Sequence, residues 1–563
     1  MMGRGYWTPD EPREADIAWR MSTQPDKAVP SLAGEAFCEK PPLTYWVAGA
    51  SMRLFGPSGW SARLPNLLYA ALTALAVGLL ARRSAGDLAG LIAAAAIGTF
   101  LLSYQVAIWL ATDAPLTAAV ALALLGAYRG FYAQRRRERL YGYTLMHAAL
   151  AAAFLCKSAA GWMVPALALL TLIVWERRWR ELLRFELYLG LVLQAAVILS
   201  WIWSVYQGPD GAANLKVFFW NNLVGRFTHV DAAQELQYAA AHRNTPGKYL
   251  IELPLYLCPW TLLVIAALRR AWLARAAPAD SLRPVRFALA ASLPALALLS
   301  VAATARNIYL APALPGFALL LGWWGQETLA VHDRWDLRAV RVTALLLLAG
   351  TAAFLVAIVL VSMDAQRESA HAGWALSAAI SLVGIAAAAF LCLRAQAAAA
   401  RGAIDQPRSA LFLAYCVLLV APCAQIYRQV DRWQDLASVG RAIEARAASR
   451  PLILMVPDET TRAFIDMYAR TAVELVKPPL DAGALERLRA LLGKSPEALV
   501  VAQLPGRQIT GAVRSLAAAL GLATGRAVPP TEAPSWAGTL GLRIASEYAL
   551  PNGRRYALLQ PSR

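Results

Sequence analysis

"GYWTPDEPREADIAWRMS" occupies Gly5–Ser22, and "EAFCEKPPLTYW" follows at Glu35–Trp46. Both are dense in charge, yet the 563-residue chain is 58% hydrophobic and only 16% charged, with a mean hydropathy of +0.45. A soluble protein of this size has no interior large enough for so much apolar surface, so the composition is that of a polytopic membrane protein. Thr8, Pro9, Asp10 and Glu11 read as a helix start. Either Thr8 caps it with Glu11 closing a capping box, or Asp10 caps it ahead of Pro12. Ile17, Ala18 and Met21 then share one face, as in an amphipathic helix lying in the membrane surface. "EKPPLTYWVAGASMRLFG" sets Leu43, Trp46, Val47 and Leu54 on one face of a second such helix. Glu39 and Lys40 fall on the turn between the two. Asp10, Glu11, Arg13, Glu39 and Lys40 are thereby expected close together at the level of the lipid headgroups.

Beyond this loop, apolar runs of bilayer-spanning length lie at about 61–82, 87–110, 112–132, 141–156, 159–176, 184–206, 249–268, 285–304, 309–326, 338–362, 373–394 and 407–427. That makes about twelve spans, several rich in Ala and Gly, which lets helices approach closely in lipid. Every second loop carries the arginines: 82–86, 133–140, 176–184, 269–286, 327–341 and 394–408. The positive-inside rule assigns these to the cytoplasm, leaving the first sixty residues and everything after the last span outside. Three regions follow: a periplasmic loop with interfacial helices over 1–60, a transmembrane helical domain over 61–430, and a soluble periplasmic α/β domain over 431–563. In the last, "PLILMVP", "AVELV" and "EALVVAQ" read as strands. They alternate with the helical patterns "DETTRAFIDMYA", "DAGALERLRALLG" and "TGAVRSLAAALG". Asn552-Gly553 reads as the turn of a closing hairpin.

The formal net charge of +18 would raise nucleic acid as a partner in a soluble protein. Here the basic residues sit in short runs between spans, so nucleic acid is not expected. The six cysteines form no C-x-x-C pair and lie mostly in apolar runs; they read as small buried hydrophobes. No cleavable signal peptide is visible. A long outer loop, about 207–248, holds "NLKVFFWNNLVGRFTHV" and "AAAHRNTPGKYL", and loops of that length are often functional.

Ionisable residues at span ends are costly and point to function. Asp113 opens the span "DAPLTAAVALALL", Lys157 separates two apolar runs, and Arg306 precedes "NIYLAPALPG". The topology sets all three at the outer boundary, level with the first loop. A helix-capping role for Asp113 and a snorkelling Lys157 are the plainer readings. Carboxylates that orient or deprotonate an acceptor, together with cations that hold a phosphate, suit group transfer from a lipid phosphate.

"DEPREADIAWRM" resembles the D-E-x-R-Y-A-E-I-A-x-x-M motif of bacterial aminoarabinose transferases, and "FCEKPPLTYW" resembles their Y-F-E-K-P-P segment. "ATDAPLTAAVALAL", "LCKSAAGWMVP", "FFWNNLVGRF" and "ARNIYLAPALPG" match further segments in the same order. The chain also resembles the wider protein O-mannosyltransferase superfamily. The resemblance implies a GT-C fold: normally thirteen transmembrane helices, interfacial helices in the first outer loop and a C-terminal soluble domain. The family has a span ahead of the D-E motif, and a truncated or misannotated start is the expected reason for counting twelve. Carried over, Asp10 is the principal catalytic carboxylate and Asp113 the second. Lys40, Lys157, Arg226 and Arg306 bind the donor phosphate, and Glu11, Arg13 and Glu39 are further site candidates. The implied donor is a polyprenyl-phosphate sugar. The acceptor is lipid A, another envelope glycolipid or glycan, or, in a second reading, a protein. A transporter or lipid flippase is the alternative from another class. The chain departs from the family at Glu14 (Tyr there), at Asn221, Asn222 and Leu223 (an H-E-H cluster there) and at Ala305 (Lys there). The one cofactor raised is a divalent metal, with Glu39, His229 and His242 as candidate ligands. A monomer in the bacterial inner membrane, its site facing the periplasm, is expected.

Overall fold

The computed structural model describes residues 2–224, 245–278, 280–302, 306–367, 374–469, 471–505, 534–550 and 552–562. Two helices come first, α1 (Glu11–Thr23) and α2 (Leu43–Phe55), with a two-stranded hairpin, β1 (Ser31–Leu32) and β2 (Glu35–Ala36), between them. The membrane part follows with α3 (Gly59–Ala85), α4 (Asp87–Thr99), α5 (Leu101–Ile108), α6 (Asp113–Tyr132), α7 (Arg136–Lys157), α8 (Met163–Trp175) and α9 (Phe185–Tyr206). After α10 (Gly211–Leu215) come α11 (Lys248–Tyr256), α12 (Thr261–Leu273), α13 (Arg283–Val301), α14 (Leu314–Ala330), α15 (Arg334–Arg367), α16 (Trp374–Ala400) and α17 (Asp405–Trp433).

Nine described helical runs are long and apolar enough to cross a bilayer, or eleven if each of two bent pairs is one span. One 40-residue run, Arg136–Trp175, is in fact two passes. Lys157, at the end of α7, meets Asp113 at the start of α6. Glu176, just past α8, accepts a hydrogen bond from Tyr132 at the other end of α6, at 2.6 Å. The chain therefore reverses between them, through Ser158 at φ 56° and a 3-10 turn, Ser158–Trp162, in which Gly161 lies against Ala153. With this reversal all twelve expected spans are present as helical segments. Two are not straight. The 87–110 span bends by 62° between α4 and α5, and the 249–268 span turns through 110° between α11 and α12. The two bends lean on each other: Leu101 N donates to Cys258 O at 3.0 Å, and Trp260 Nε1 donates to Thr99 Oγ1 at 2.8 Å. Long-range contacts join the two kinks, and the second also falls at Pro259, which cannot continue a helix.

The arginine-rich loops gather at one end of the bundle. Arg270 pairs with Asp336 at 2.9 Å, Arg286 with Glu176 at 3.9 Å, and Arg408 donates to Gly325 O at 2.8 Å. The first loop and the C-terminal unit lie at the opposite end.

That unit begins with α18 (Leu436–Ala447) and continues β3 (Leu452–Met455), α19 (Glu459–Tyr468), β4 (Val473–Val476), α20 (Ala482–Lys494) and β5 (Leu499–Leu504). After the short α21 (Ser535–Thr539), β6 (Leu542–Ala549) and β7 (Arg555–Pro561) form the closing hairpin, with Gly553 at φ 90° in its turn. The sheet order is β4-β3-β5-β7-β6, parallel across its first three strands and antiparallel across the rest. Apolar residues cover both faces, one packed by α18 and α19, the other by α20 and α21. The expected helix at "TGAVRSLAAALG" lies outside the described residues.

The first loop departs from the surface-helix reading. Every residue of α1 from Glu11 to Ala18 is buried, because α2 covers one side and α19 the other. Asp10 stands at the N-cap but makes no cap hydrogen bond, and the Thr8 hydroxyl donates to Gln434 at 2.8 Å, so neither capping pattern forms. In α2 the buried face is Thr44, Tyr45, Ala48, Gly49, Ser51 and Met52, while Leu54 and Phe55 are exposed. The two helices touch backbone to backbone: a Cβ on Gly49 would stand 2.2 Å from Ala18 O. A Gly49→Ala substitution is expected to force the helices apart at a cost of about 1–3 kcal/mol. Gly98→Ala, in a helix where a Cβ meets nothing within 4 Å, is expected to be neutral or stabilising. Thermal unfolding of the two purified variants in detergent checks the contrast.

Candidate active site at one end of the helix bundle

Adjacent residues on α1 point in different directions, and the D-E pair divides accordingly. Glu11 turns inward. Each of its oxygens accepts three hydrogen bonds: Oε1 from Arg4, Arg63 and the Leu110 amide, Oε2 from Arg4, Arg63 and the Trp7 amide. With both oxygens saturated, Glu11 anchors the first loop to α3 and to the segment before α6, and it does not face the other charged groups.

Asp10 faces them. Its carboxylate takes Arg306 on both oxygens and Arg13 Nη2 at 3.3 Å. Arg13 is buried and also reaches Glu14 at 2.8 Å and Glu459 of α19. Lys40 Nζ lies 2.6 Å from Glu14 Oε1, one helical turn beyond Asp10. Glu39 bears electrostatically on Arg13, and its carbonyl accepts from Asn222 Nδ2 in the wound segment Lys216–Leu223. Burial alone would raise the Asp10 carboxyl, but Arg13 and Arg306 outweigh it and hold Asp10 down to about 2. Glu14 is likewise lowered against its burial, by Lys40 and Arg13.

The second group is Asp113 with Lys157, Nζ to Oδ1 at 2.6 Å. Asp113 is the first residue of α6 and is buried; its side chain is spent on this ion pair and not on a cap. Lys157 also stands 4.6 Å from the centre of the Tyr309 ring, a cation–π contact. Tyr309 belongs to the 3-10 segment Asn307–Ala313 that directly follows Arg306, and Tyr249 of α11 fixes its start by donating to Arg306 O at 2.8 Å. One short segment therefore touches both aspartates, Asp10 through Arg306 and Asp113 through Tyr309 and Lys157.

The structure thus brings Asp10, Arg13, Lys40 and Arg306 into one network and ties Asp113 and Lys157 to it. Arg226, His229 and His242 lie outside the described residues. Among the described residues no three His, Cys, Asp or Glu side chains gather as a metal site, and both Asp10 oxygens are taken by guanidinium groups. Two of the three candidate ligands, His229 and His242, lie outside the described residues, and no step is assigned to a metal ion. Sequence reasoning missed Glu14, Glu459 and Tyr309 as members of the network. Glu14 was findable, since i+4 spacing from Asp10 sets the two on one helix face; Glu459, separated by 446 residues from Arg13, carried no such signal.

Comparisons with known proteins bear on the fold. The family model for dolichyl-phosphate-mannose-protein mannosyltransferase matches residues 39–203. An undecaprenyl phosphate-α-4-amino-4-deoxy-L-arabinose arabinosyl transferase of Pseudomonas paraeruginosa is 31% identical over 323 residues, 57% of this chain and 56% of the relative. The corresponding transferase of Edwardsiella ictaluri is 28% identical over 345 residues, 61% of this chain and 59% of that one. The chain thus spans a little over half the length of the curated relatives it matches. Over the whole fold, ArnT from Cupriavidus metallidurans superposes with a TM-score of 0.69 in its apo form, at 19% identity, covering 100% of this chain and 95% of that one. Its complex with undecaprenyl phosphate gives 0.71 at 18% identity, covering 99% and 94%. The chain has the fold of these ArnT structures. Within that ArnT-like framework the D-E pair divides its labour, one residue for the scaffold and one for the charged network.

An acid titration reads this network directly. Asp10 loses its proton at about 2 when folded against 3.8 unperturbed. Its ion pairs therefore add about 2 kcal/mol above pH 4, lost as pH falls from 4 through 2. The melting temperature of Asp10→Asn is expected to lie below that of the unaltered protein at pH 6 and to converge on it near pH 2–3, followed by tryptophan fluorescence.

Proposed function

We propose that this chain moves a sugar from a polyprenyl-phosphate carrier to an acceptor at the periplasmic face of the bacterial inner membrane. The observation that carries the reading is the paired-charge network at one end of a bilayer-spanning bundle. There, Arg13, Lys40, Lys157 and Arg306 converge with Asp10 and Asp113 from elements far apart in sequence. The periplasmic assignment rests on the arginine-rich loops at the opposite end, which the positive-inside rule keeps in the cytoplasm. The carrier is read from the relatives, whose names specify an undecaprenyl phosphate donor, and from the ArnT complex with undecaprenyl phosphate. The acceptor in this reading is an envelope glycolipid such as lipid A, as the motif resemblance implies. The charges lie at one surface rather than near the midplane, where transporters hold their substrates, so transport is not favoured.

In this reading the acceptor oxygen attacks the anomeric carbon as the bond from that carbon to the carrier phosphate oxygen breaks. The phosphate leaves with the electron pair, and Arg306, Arg13 and Lys40 receive its growing charge. As the two guanidinium groups turn toward the phosphate, Asp10 loses the partners that make it so weak a base. It then takes the proton from a hydroxyl acceptor; an acceptor that is already an ionised phosphate has none to give, and Asp10 orients it instead. Asp113 holds Lys157 in place beside Tyr309.

Transfer of radiolabelled sugar from polyprenyl phosphate to an extractable acceptor, using the purified protein in lipid, tests the reading. Asp10→Asn is expected to lower the rate about 10²–10⁴-fold if the acceptor is a hydroxyl. Asp113→Asn is expected to act mainly by weakening donor binding. Full transfer by Asp10→Asn would remove Asp10 from the site, and no transfer by the unaltered protein to any envelope lipid, glycan or protein would remove the function.

A further inference from the structure

Glu14 does more here than staple two helices. Its side chain is 2% exposed, and a single oxygen, Oε1, meets both Lys40 Nζ at 2.6 Å and Arg13 Nη2 at 2.8 Å. Those are two of the cations that face the carrier phosphate in the function proposed above, and the inference rests on that reading. The phenol of Tyr45, fully buried, borders the same carboxylate.

The charge of the carrier changes during the reaction. The sugar-loaded carrier is a phosphodiester with one negative charge. The spent carrier is a monoester whose second ionisation lies near pH 6, giving it about −1.5 to −2 at neutral pH. Cations that welcome the departing phosphate also retain it afterwards. A fixed buried anion bonded to those cations repels each phosphate in proportion to its charge, so it opposes the spent carrier about twice as strongly as the loaded one.

We propose that Glu14 is a positioning residue that sets the balance between carrier binding and carrier release. It keeps Lys40 and Arg13 aimed at the phosphate while withholding part of their charge from the spent monoester. A mere staple would behave otherwise: its loss would loosen both cations and weaken both phosphates alike.

The test measures dissociation constants of undecaprenyl phosphate and of its methyl ester for the full-length protein in lipid nanodiscs at pH 7.5. Glu14→Gln is expected to tighten undecaprenyl phosphate by about tenfold or more and the methyl ester by only about threefold. The gap between the two ligands should close at pH 5, where the monoester carries nearly one charge. Glu14→Asp keeps the negative charge and is expected to retain the unaltered ratio. In turnover assays the steady-state rate of Glu14→Gln should fall below its own single-turnover rate, because the spent carrier stays bound. Removing a buried anion can unfold a protein, so Lys40→Met is the second variant, expected to weaken undecaprenyl phosphate more than the methyl ester. Equal change for both ligands, or weaker binding of both in Glu14→Gln, overturns the proposal. An unaltered protein that binds neither ligand overturns the function itself.

Discussion

A carboxylate with no exposure to water survives only if its charge is answered on every side. Glu11 meets that condition with two arginines and two backbone amides, and the arrangement of the outer end depends on it. Arg4 precedes α1, Arg63 belongs to α3, and Leu110 leads into α6. Because they converge on one side chain, the start of α1 has a single orientation relative to the bundle. Asp10, Arg13 and Glu14 inherit that orientation, since each is on or beside the same helical turn. Removing one member of such a buried set typically costs about 3–5 kcal/mol. The scaffold is thus built from the same kind of charge as the network around Asp10, with both oxygens of its carboxylate saturated.

Much of this was legible in the chain. Twelve apolar runs of bilayer length were visible because the thickness of the hydrocarbon core imposes a length that composition reveals directly. The α/β alternation and the Asn552-Gly553 turn were visible for equally local reasons. The bend between α4 and α5 was not, since it is held by contacts between Leu101 and Cys258 and between Thr99 and Trp260, pairs remote in sequence, whereas the turn between α11 and α12 is marked locally by Pro259. The division between Asp10 and Glu11 was also hidden. Both are short acidic side chains, and only the positions of Arg4, Arg63 and Arg306 tell them apart.

The burial of α1 has the same origin. Read alone, its apolar face and charged flank describe a helix floating at the lipid surface. In the structure the charged flank is covered by α19. Arg13 and Arg20, seven residues apart, meet Glu459 and Asp466, also seven residues apart, so the two helices run parallel and match turn for turn. Arg462 and Lys477 add contacts to Glu35 in the intervening hairpin. The C-terminal unit is therefore a wall of the charged network and not an appendage to it.

That wall has a consequence in time. Arg13 leaves the ribosome long before Glu459 is synthesised, and chains of this length fold in stages as they emerge. Through most of translation the arginine has its near neighbours but lacks its distant partner. The charged network is complete only when the last unit docks, so an interrupted product lacks Glu459 and the wall that α19 provides.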